Sequence, residues 1–266
     1  MFTYKNVQNV FSGDIASGWE RKAEYIKYIQ GDDNEMFCLV DKHLLTRIED
    51  SEQSLELLEV GCGTGKLLNQ LCSKYYSSVN FTGIELSQDM AAQVQKKKFR
   101  KAVTLLTQPV ECYKGETNFD VIILKQVLHH AKSRKDLLEK LDNMMTTRGG
   151  IFLMIPNENY QNSIIPYGGE SDCLGRMSEA LLRRYICNTS LIIVDKKRTS
   201  SSCVFRNIYD YFMFLYSIGS FQKLFNYKPD YSHAFEFINL FKPTLQNTNE
   251  LKVCFDYSYY VLQKKL

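Results

Sequence analysis

Residues 55–65, Leu-Glu-Leu-Leu-Glu-Val-Gly-Cys-Gly-Thr-Gly, constrain this chain more than any other stretch. A short apolar run ends at Glu59, glycines alternate at Gly61, Gly63 and Gly65, and the helical pattern Lys66-Leu67-Leu68-Asn69-Gln70-Leu71 follows at once. Strand, glycine turn, helix lets a backbone approach a nucleotide-like ligand closely, because glycine adds no side chain and tolerates positive φ. A second apolar run, 79–84, ends at Glu85, twenty residues past Gly65. A carboxylate in that place can accept both hydroxyls of a ribose.

Two familiar nucleotide loops fail on spacing. A phosphate-binding P-loop needs a glycine five residues before its Gly-Lys pair and Ser or Thr after it. Val60 and Leu67 occupy those places here, so Gly65-Lys66 is not a phosphate-gripping pair. The dinucleotide fingerprint needs a third glycine three residues after the second. That position is Lys66, which disfavours NAD and FAD.

Alternating apolar runs and helical patterns continue downstream. Helices are expected within 1–50, including Glu35 to Ile48, and at 66–75, from Ser87 (as N-cap) to about Lys98, at 133–146 after a Ser133 cap, and at 178–187. Strands are expected at 55–60, 79–84, 103–106, 119–125, 151–155, 191–198 and 253–263. Residues 157–175 read as a long loop, and 206–225 and 232–241 as aromatic-rich helical stretches. This alternation specifies an α/β fold with a doubly wound, mostly parallel seven-stranded sheet. The domain reading is an N-terminal helical lid (1–50), a core (51–200 and 250–266) and an aromatic-rich helical insertion capping the substrate (201–249). In doubly wound sheets ligands sit beyond the carboxyl ends of the strands. The segments 59–65, 85–86, 108–110, 125–130 and 156–157 all fall at such ends, and core packing does not require that.

The Glu-x-Gly-x-Gly-x-Gly loop with an acid after the second strand resembles motifs I and II of the class I S-adenosylmethionine-dependent methyltransferases, over roughly residues 50 to 156. The resemblance implies a Rossmann-like methyltransferase fold, S-adenosylmethionine as cofactor and a methyltransferase activity. It implies that Gly61, Cys62, Gly63 and Gly65 line the cofactor, with Glu59 holding the loop or the methionine amino end. Glu85 would take the ribose hydroxyls, Leu86 and Met90 would border the adenine, and Lys125 would back onto the methionine portion. Leu128-His129-His130 is similar to the Leu-His-His that often follows strand four in the family. One departure stands out. Where the family commonly places an acid for the adenine amino group, this chain has Pro109, leaving Gln108 or the Val110 backbone to make the contact.

Outside the core the chain resembles, more loosely, the malonyl-acyl-carrier-protein carboxyl methyltransferase group. The likeness rests on the 11–19 segment ending in Trp19, on Gly175-Arg176-Met177-Ser178, and on the aromatic stretch at 206–219. It implies a small-molecule or carrier-bound acyl acceptor, with a carboxylate as one candidate. Arg176 could grip an acidic acceptor through a bidentate guanidinium, and Tyr25 and Tyr209 could line the acceptor space. Trp19 could close over the cofactor. His130 is the best candidate base, because it should emerge at the end of strand four. A carboxylate or thiolate acceptor needs no base; a phenol or amine does. His43 and His233 read as structural.

Rival functions are an RNA or protein methyltransferase and a catalytically silent methyltransferase-like binder. Net charge of +3 is too small to argue for nucleic acid, and Lys96-Lys97-Lys98 with Arg100-Lys101 fits the end of a surface helix. Leu124-Lys125-Gln126-Val127 stands where base-amino methyltransferases carry Asn/Asp-Pro-Pro-(Tyr/Phe). The 8 cysteines form no C-x-x-C pair and no zinc-spaced Cys/His cluster, so no metal is expected. No apolar run reaches about 18 residues, so no membrane contact is expected. A reducing cytoplasm is the natural reading.

Overall fold

The computed structural model describes residues 30–162, 168, 175–217 and 250–265. Trp19, Tyr25, Phe221, His233, the first 29 residues and most of the expected aromatic insertion lie outside them. Seven strands form one sheet: β1 (Leu55–Val60), β2 (Val79–Ile84), β3 (Val103–Leu106), β4 (Phe119–Lys125), β5 (Met145–Pro156), β6 (Leu191–Phe205) and β7 (Leu251–Lys264). Their order is β3-β2-β1-β4-β5-β7-β6. The pairs β1–β2, β2–β3, β1–β4 and β4–β5 are parallel, whereas β7 runs antiparallel to both β5 and β6. The described helices are α1 (Gln30–Glu49), α2 (Lys66–Tyr75), α3 (Gln88–Gln95), α4 (Arg134–Met144), α5 (Glu179–Ile186) and α6 (Ile208–Ser217).

Helices cover both faces, which is why the central strands read as nearly unbroken apolar runs. On one face Met36, Val40 and Leu44 of α1 and Leu67, Leu68 and Leu71 of α2 pack with Leu57, Val121, Ile123 and Phe152. On the other, Leu137, Leu138 and Leu141 of α4 and Leu181 and Leu182 of α5 pack with Leu58, Ile122, Leu124 and Leu153. Alternate residues of β4 thus feed opposite cores, the period-two rule of a strand. Strand order reverses between β1 and β4, so a crevice opens where their carboxyl ends diverge.

Local signals set most boundaries. Ser87, Ser133 and Ser178 each accept a hydrogen bond from the backbone N–H three residues on, capping α3, α4 and α5. Three expectations shift. The helix begun at Ser87 stops at Gln95, short of the lysine run. The 133–146 helix stops at Met144, because β5 begins at Met145 opposite Phe119 and bulges before Gly150 pairs with Val121. The 191–198 strand continues to Phe205, held by β7 along its whole length. Phe205, Tyr211 and Phe214 are buried in the core, with ring centroids 5.1 and 5.4 Å from Phe205 to the other two, and Phe214 meets Phe255 at 5.7 Å. The described part of the aromatic segment is therefore anchored by packing.

His43 joins α1 to β5. Its ring meets Phe152 edge-on at 4.9 Å, and its Nε2, buried beside Gly150, has no hydrogen-bond partner. Burial, and then the charge of Arg47, push the imidazole down from 6.5 to about 4. The folded chain holds it neutral where the unfolded chain would bind a proton. Its contribution to stability is complete above the unfolded value and is lost as pH falls from about 6.5 through about 4. His43→Leu should flatten that slope: urea midpoints near pH ~5 and ~7 should lie closer together than in the parent chain.

Candidate active site at the carboxyl ends of β1, β2 and β4

The glycine loop joins β1 to α2 through three left-handed residues, Gly61 (φ 63°), Gly63 (φ 56°) and Gly65 (φ 73°). The N–H groups of Gly61 and Cys62 donate to the Ile84 carbonyl at 2.7 and 3.1 Å, and Gly65 N–H donates to the Cys62 carbonyl at 2.8 Å. Each glycine is needed for a different reason. A Cβ on Gly61 would stand 2.5 Å from a Val127 methyl, and one on Gly65 would stand 3.1 Å from a Val94 methyl. A Cβ on Gly63 would meet nothing within 4 Å. Two glycines therefore let protein pack beneath the loop, while the middle one faces open space.

Glu85, one residue beyond β2, is 8% exposed. One carboxylate oxygen accepts from Gly63 N–H at 2.7 Å, and the other accepts from Ser87 N–H at 2.8 Å. Burial pushes its carboxyl up from the usual range, and the N–H groups of Ser87, Gly63 and Leu86 pull it back. A carboxylate has about four acceptor sites, so these N–H groups leave acceptor capacity for a ribose hydroxyl. Glu59 lies opposite Gly83 in the β1–β2 register and is 2% exposed. The Cys62 thiol points beneath the loop, 3.0 Å from where a Cβ on Gly83 would lie. Burial first, then the charges of Glu59 and Glu85, raise that thiol well above its ordinary range. Cys62 can therefore offer a ligand its backbone but not a thiolate.

Around this centre, Leu86 is half-buried and Met90 is 4% exposed on the first turn of α3. Pro109 caps a short 3-10 turn (Val110–Cys112), with Cys112 N–H bonded to its carbonyl at 3.0 Å. Gln108 and Pro109 are half-buried and Val110 is buried, which lines that rim without a carboxylate. Lys125 ends β4, half-buried. A second 3-10 turn, Leu128–His130, follows, and His130 N–H donates to the Val127 carbonyl at 2.8 Å. The rings of His129 and His130 lie 4.2 Å apart, and His129 fills the space a Cβ on Gly175 would need.

The acceptor-side residues are less gathered. Arg176 is wholly buried and donates to the Tyr160 carbonyl at 3.0 Å. Tyr209 lies on α6. Trp19 and Tyr25 fall outside the described residues.

Sequence reasoning placed the 125–130 segment here but gave no individual role to Gln126 or Val127, nor to Gly83 or the N–H of Ser87. Gly83 did carry a signal, because an isolated glycine inside a strand marks close approach, here of Cys62 and Leu68. Val127 read as one more apolar residue. Gln126 has a left-handed backbone (φ 57°), which costs a residue with a Cβ about 1–2 kcal/mol and leaves no trace in sequence.

Residues 58–152 match a family model described as a methyltransferase domain. The chain is 28% identical over 122 residues to malonyl-[acyl-carrier protein] O-methyltransferase 2 of Ilyobacter polytropus, covering 44% of this chain and 46% of that protein. It is also 28% identical over 129 residues to the malonyl-[acyl-carrier protein] O-methyltransferase of Priestia megaterium, covering 48% of this chain and 47% of that one. The matched segment thus spans about half the length of these curated relatives. Among solved structures, magnesium protoporphyrin IX methyltransferase from Synechocystis PCC 6803 with bound SAM superposes with a TM-score of 0.54 at 18% identity, over 74% of this chain and 89% of that one. No described helix is long and apolar enough to cross a membrane. The strand order, the glycine loop with its downstream acid, and these likenesses agree on a methyltransferase domain over residues 58–152.

Proposed function

We propose that this chain transfers the methyl group of S-adenosylmethionine to an acyl acceptor, small or carrier-bound, at a carboxylate oxygen. The observation that carries the reading is the pairing of open space over Gly63 with a buried carboxylate, Glu85, whose remaining lone pairs border the same loop. The cradle fits a nucleoside that brings a diol and no phosphate, because no Walker lysine or third fingerprint glycine is present. The acyl acceptor is supported by the relatives, whose names give malonyl-acyl-carrier protein as their substrate.

In this reading Gly61, Cys62, Gly63 and Gly65 offer backbone to the cofactor and Glu59 braces the end of β1. Glu85 takes the ribose hydroxyls, Leu86 and Met90 border the adenine, and Gln108, Pro109 and Val110 close its edge. Lys125 backs the methionine portion, and Trp19 closes above. The bound sulfonium supplies an electrophilic methyl and a neutral thioether leaving group. The chain's own residues then mainly orient the acceptor and exclude water, a positioning effect worth roughly 7–11 kcal/mol. His130 borders the acceptor, and Arg176, Tyr25 and Tyr209 shape the acceptor side. A carboxylate arrives deprotonated, so His130 is needed for placement rather than proton removal.

Two substitutions test the cradle. Gly63→Ala meets no protein atom and should cost only about 1–2 kcal/mol of stability for its backbone. It fills the ligand's space, so affinity for S-adenosylhomocysteine by calorimetry should fall at least about tenfold. Unchanged affinity in the folded variant would reject the loop as the cofactor site. Glu85→Gln turns one acceptor into a donor facing an N–H. Unfolding free energy should drop by about 1–3 kcal/mol and cofactor affinity by about 1.5–3 kcal/mol. For the activity itself, malonyl-loaded acyl carrier protein mixed with S-adenosylmethionine should gain one methyl by mass spectrometry. A chain that binds the cofactor and leaves this carboxylate unmodified would sink the acceptor assignment.

A further inference from the structure

Two residues other than glycine hold a left-handed backbone among the described residues, and both are glutamines: Gln126 (φ 57°) and Gln161 (φ 54°). Packing accounts for the second. Gln161 is 1% exposed, its N–H donates to the Cys254 carbonyl at 2.9 Å, and its side-chain carbonyl accepts from the Tyr211 hydroxyl. Its conformation is held by what surrounds it.

Gln126 has no such account. Its N–H extends the β4–β5 ladder to the Met154 carbonyl at 2.9 Å, but its half-buried side chain makes no hydrogen bond to the described residues. It is the first residue past β4, next to Val127, which packs beneath Gly61, and just before the turn that carries His130. Glycine would adopt this φ without strain. Strain that no internal contact repays concentrates at functional sites, and an amide with donor and acceptor both unused is a contact in waiting.

We propose that Gln126 is an acceptor-contact residue whose amide NH2 donates to one oxygen of the methyl-accepting carboxylate. The inference rests on the proposed function and names the group that would orient its substrate. A neutral amide suits this task. An ammonium or guanidinium on the same oxygen would withdraw charge from the attacking one, whereas a neutral donor fixes direction and leaves the nucleophile its electrons. The free oxygen forms a bond to the methyl carbon as the sulfur–methyl bond breaks. The bonding pair stays on sulfur, both charges cancel, and no proton moves. The ester carbonyl can still accept from the amide afterwards.

Gln126→Gly and Gln126→Glu test the contact against the parent chain by three measurements. The glycine variant should unfold at no lower temperature than the parent, because it relieves strain and breaks no side-chain bond. Its calorimetric affinity for S-adenosylhomocysteine should stay within about twofold, while kcat/KM on malonyl-loaded acyl carrier protein falls about ten- to a hundredfold. The glutamate variant sets like charges together, so KM should rise further than in the glycine variant. Full activity in Gln126→Gly would overturn the proposal. So would cofactor affinity falling in step with transfer, which would put the amide on the cofactor, or a lowered melting temperature with unaltered kinetics. A parent chain that binds S-adenosylhomocysteine but does not methylate the malonyl group would overturn it too. Failure of the parent to bind S-adenosylhomocysteine is a different result and defeats the functional reading itself.

Discussion

Glu85 ties together three pieces of chain that sequence keeps apart. Through Gly63 it holds the loop after β1; through Ser87 it holds the entry to α3; and Glu85 N–H itself donates to the Leu106 carbonyl at the end of β3. Loop, helix entry and edge strand are therefore set relative to one another by a single residue. Removing a carboxylate from water is costly, and N–H donors must offset that cost. The arrangement resolves two demands at once, because the same donors that make burial tolerable are those of the glycine loop. An acid here is a structural requirement of the crevice before it is a contact for any ligand.

The parallel half of the sheet supplies the frame for that carboxylate. Glu59 lies opposite Gly83 and opposite Ile123, so β1 shares its register with β2 and β4 at the level where the crevice opens. A side chain at Gly83 would crowd Cys62, Leu68 and Leu105, which brings β2 close under the loop. Val127 does the same from β4, filling the space beside Gly61. The loop is thus packed from two sides and open on the third, at Gly63. An opening bounded by rigid packing is a better ligand site than a flexible one, since little ordering remains to be lost on binding.

Much of this was legible because it follows local rules. The three glycines, the serine caps and the mainly apolar stretches of β1 and β4 each have a cause within a few residues. What escaped depends on distant partners. Met145 to Gly149 belongs to β5 because Phe119 pairs with Met145 across a bulge, which no short-range pattern reveals. β6 runs to Phe205 because β7 returns alongside it from far along the chain. Arg176 read as a possible grip on an acidic acceptor, and that its guanidinium is buried with a bond to the Tyr160 carbonyl is a tertiary fact. Charge alone does not tell whether a guanidinium faces solvent or backbone.

The two left-handed glutamines sharpen the distinction between strain a fold explains and strain it does not. Side-chain amides form equally good bonds from ordinary backbone, so neither sequence position announces its φ. Around Gln161 the Tyr211 hydroxyl and the Cys254 carbonyl complete a buried network that links the 157–162 segment to α6 and β7. Around Gln126 the described chain supplies one backbone bond and nothing for the amide. Lys125, the last residue of β4, and Gln126 just past it place polar side chains directly after the buried run Val121-Ile122-Ile123-Leu124. Polarity there is placed where the sheet stops needing apolar cover, at the same level as Glu85 just past β2. The carboxyl edge therefore presents a carboxylate on one side of the β1 loop and an unengaged amide on the other. A ligand spanning the loop would meet an acceptor of hydroxyl protons at one end and a neutral donor at the other.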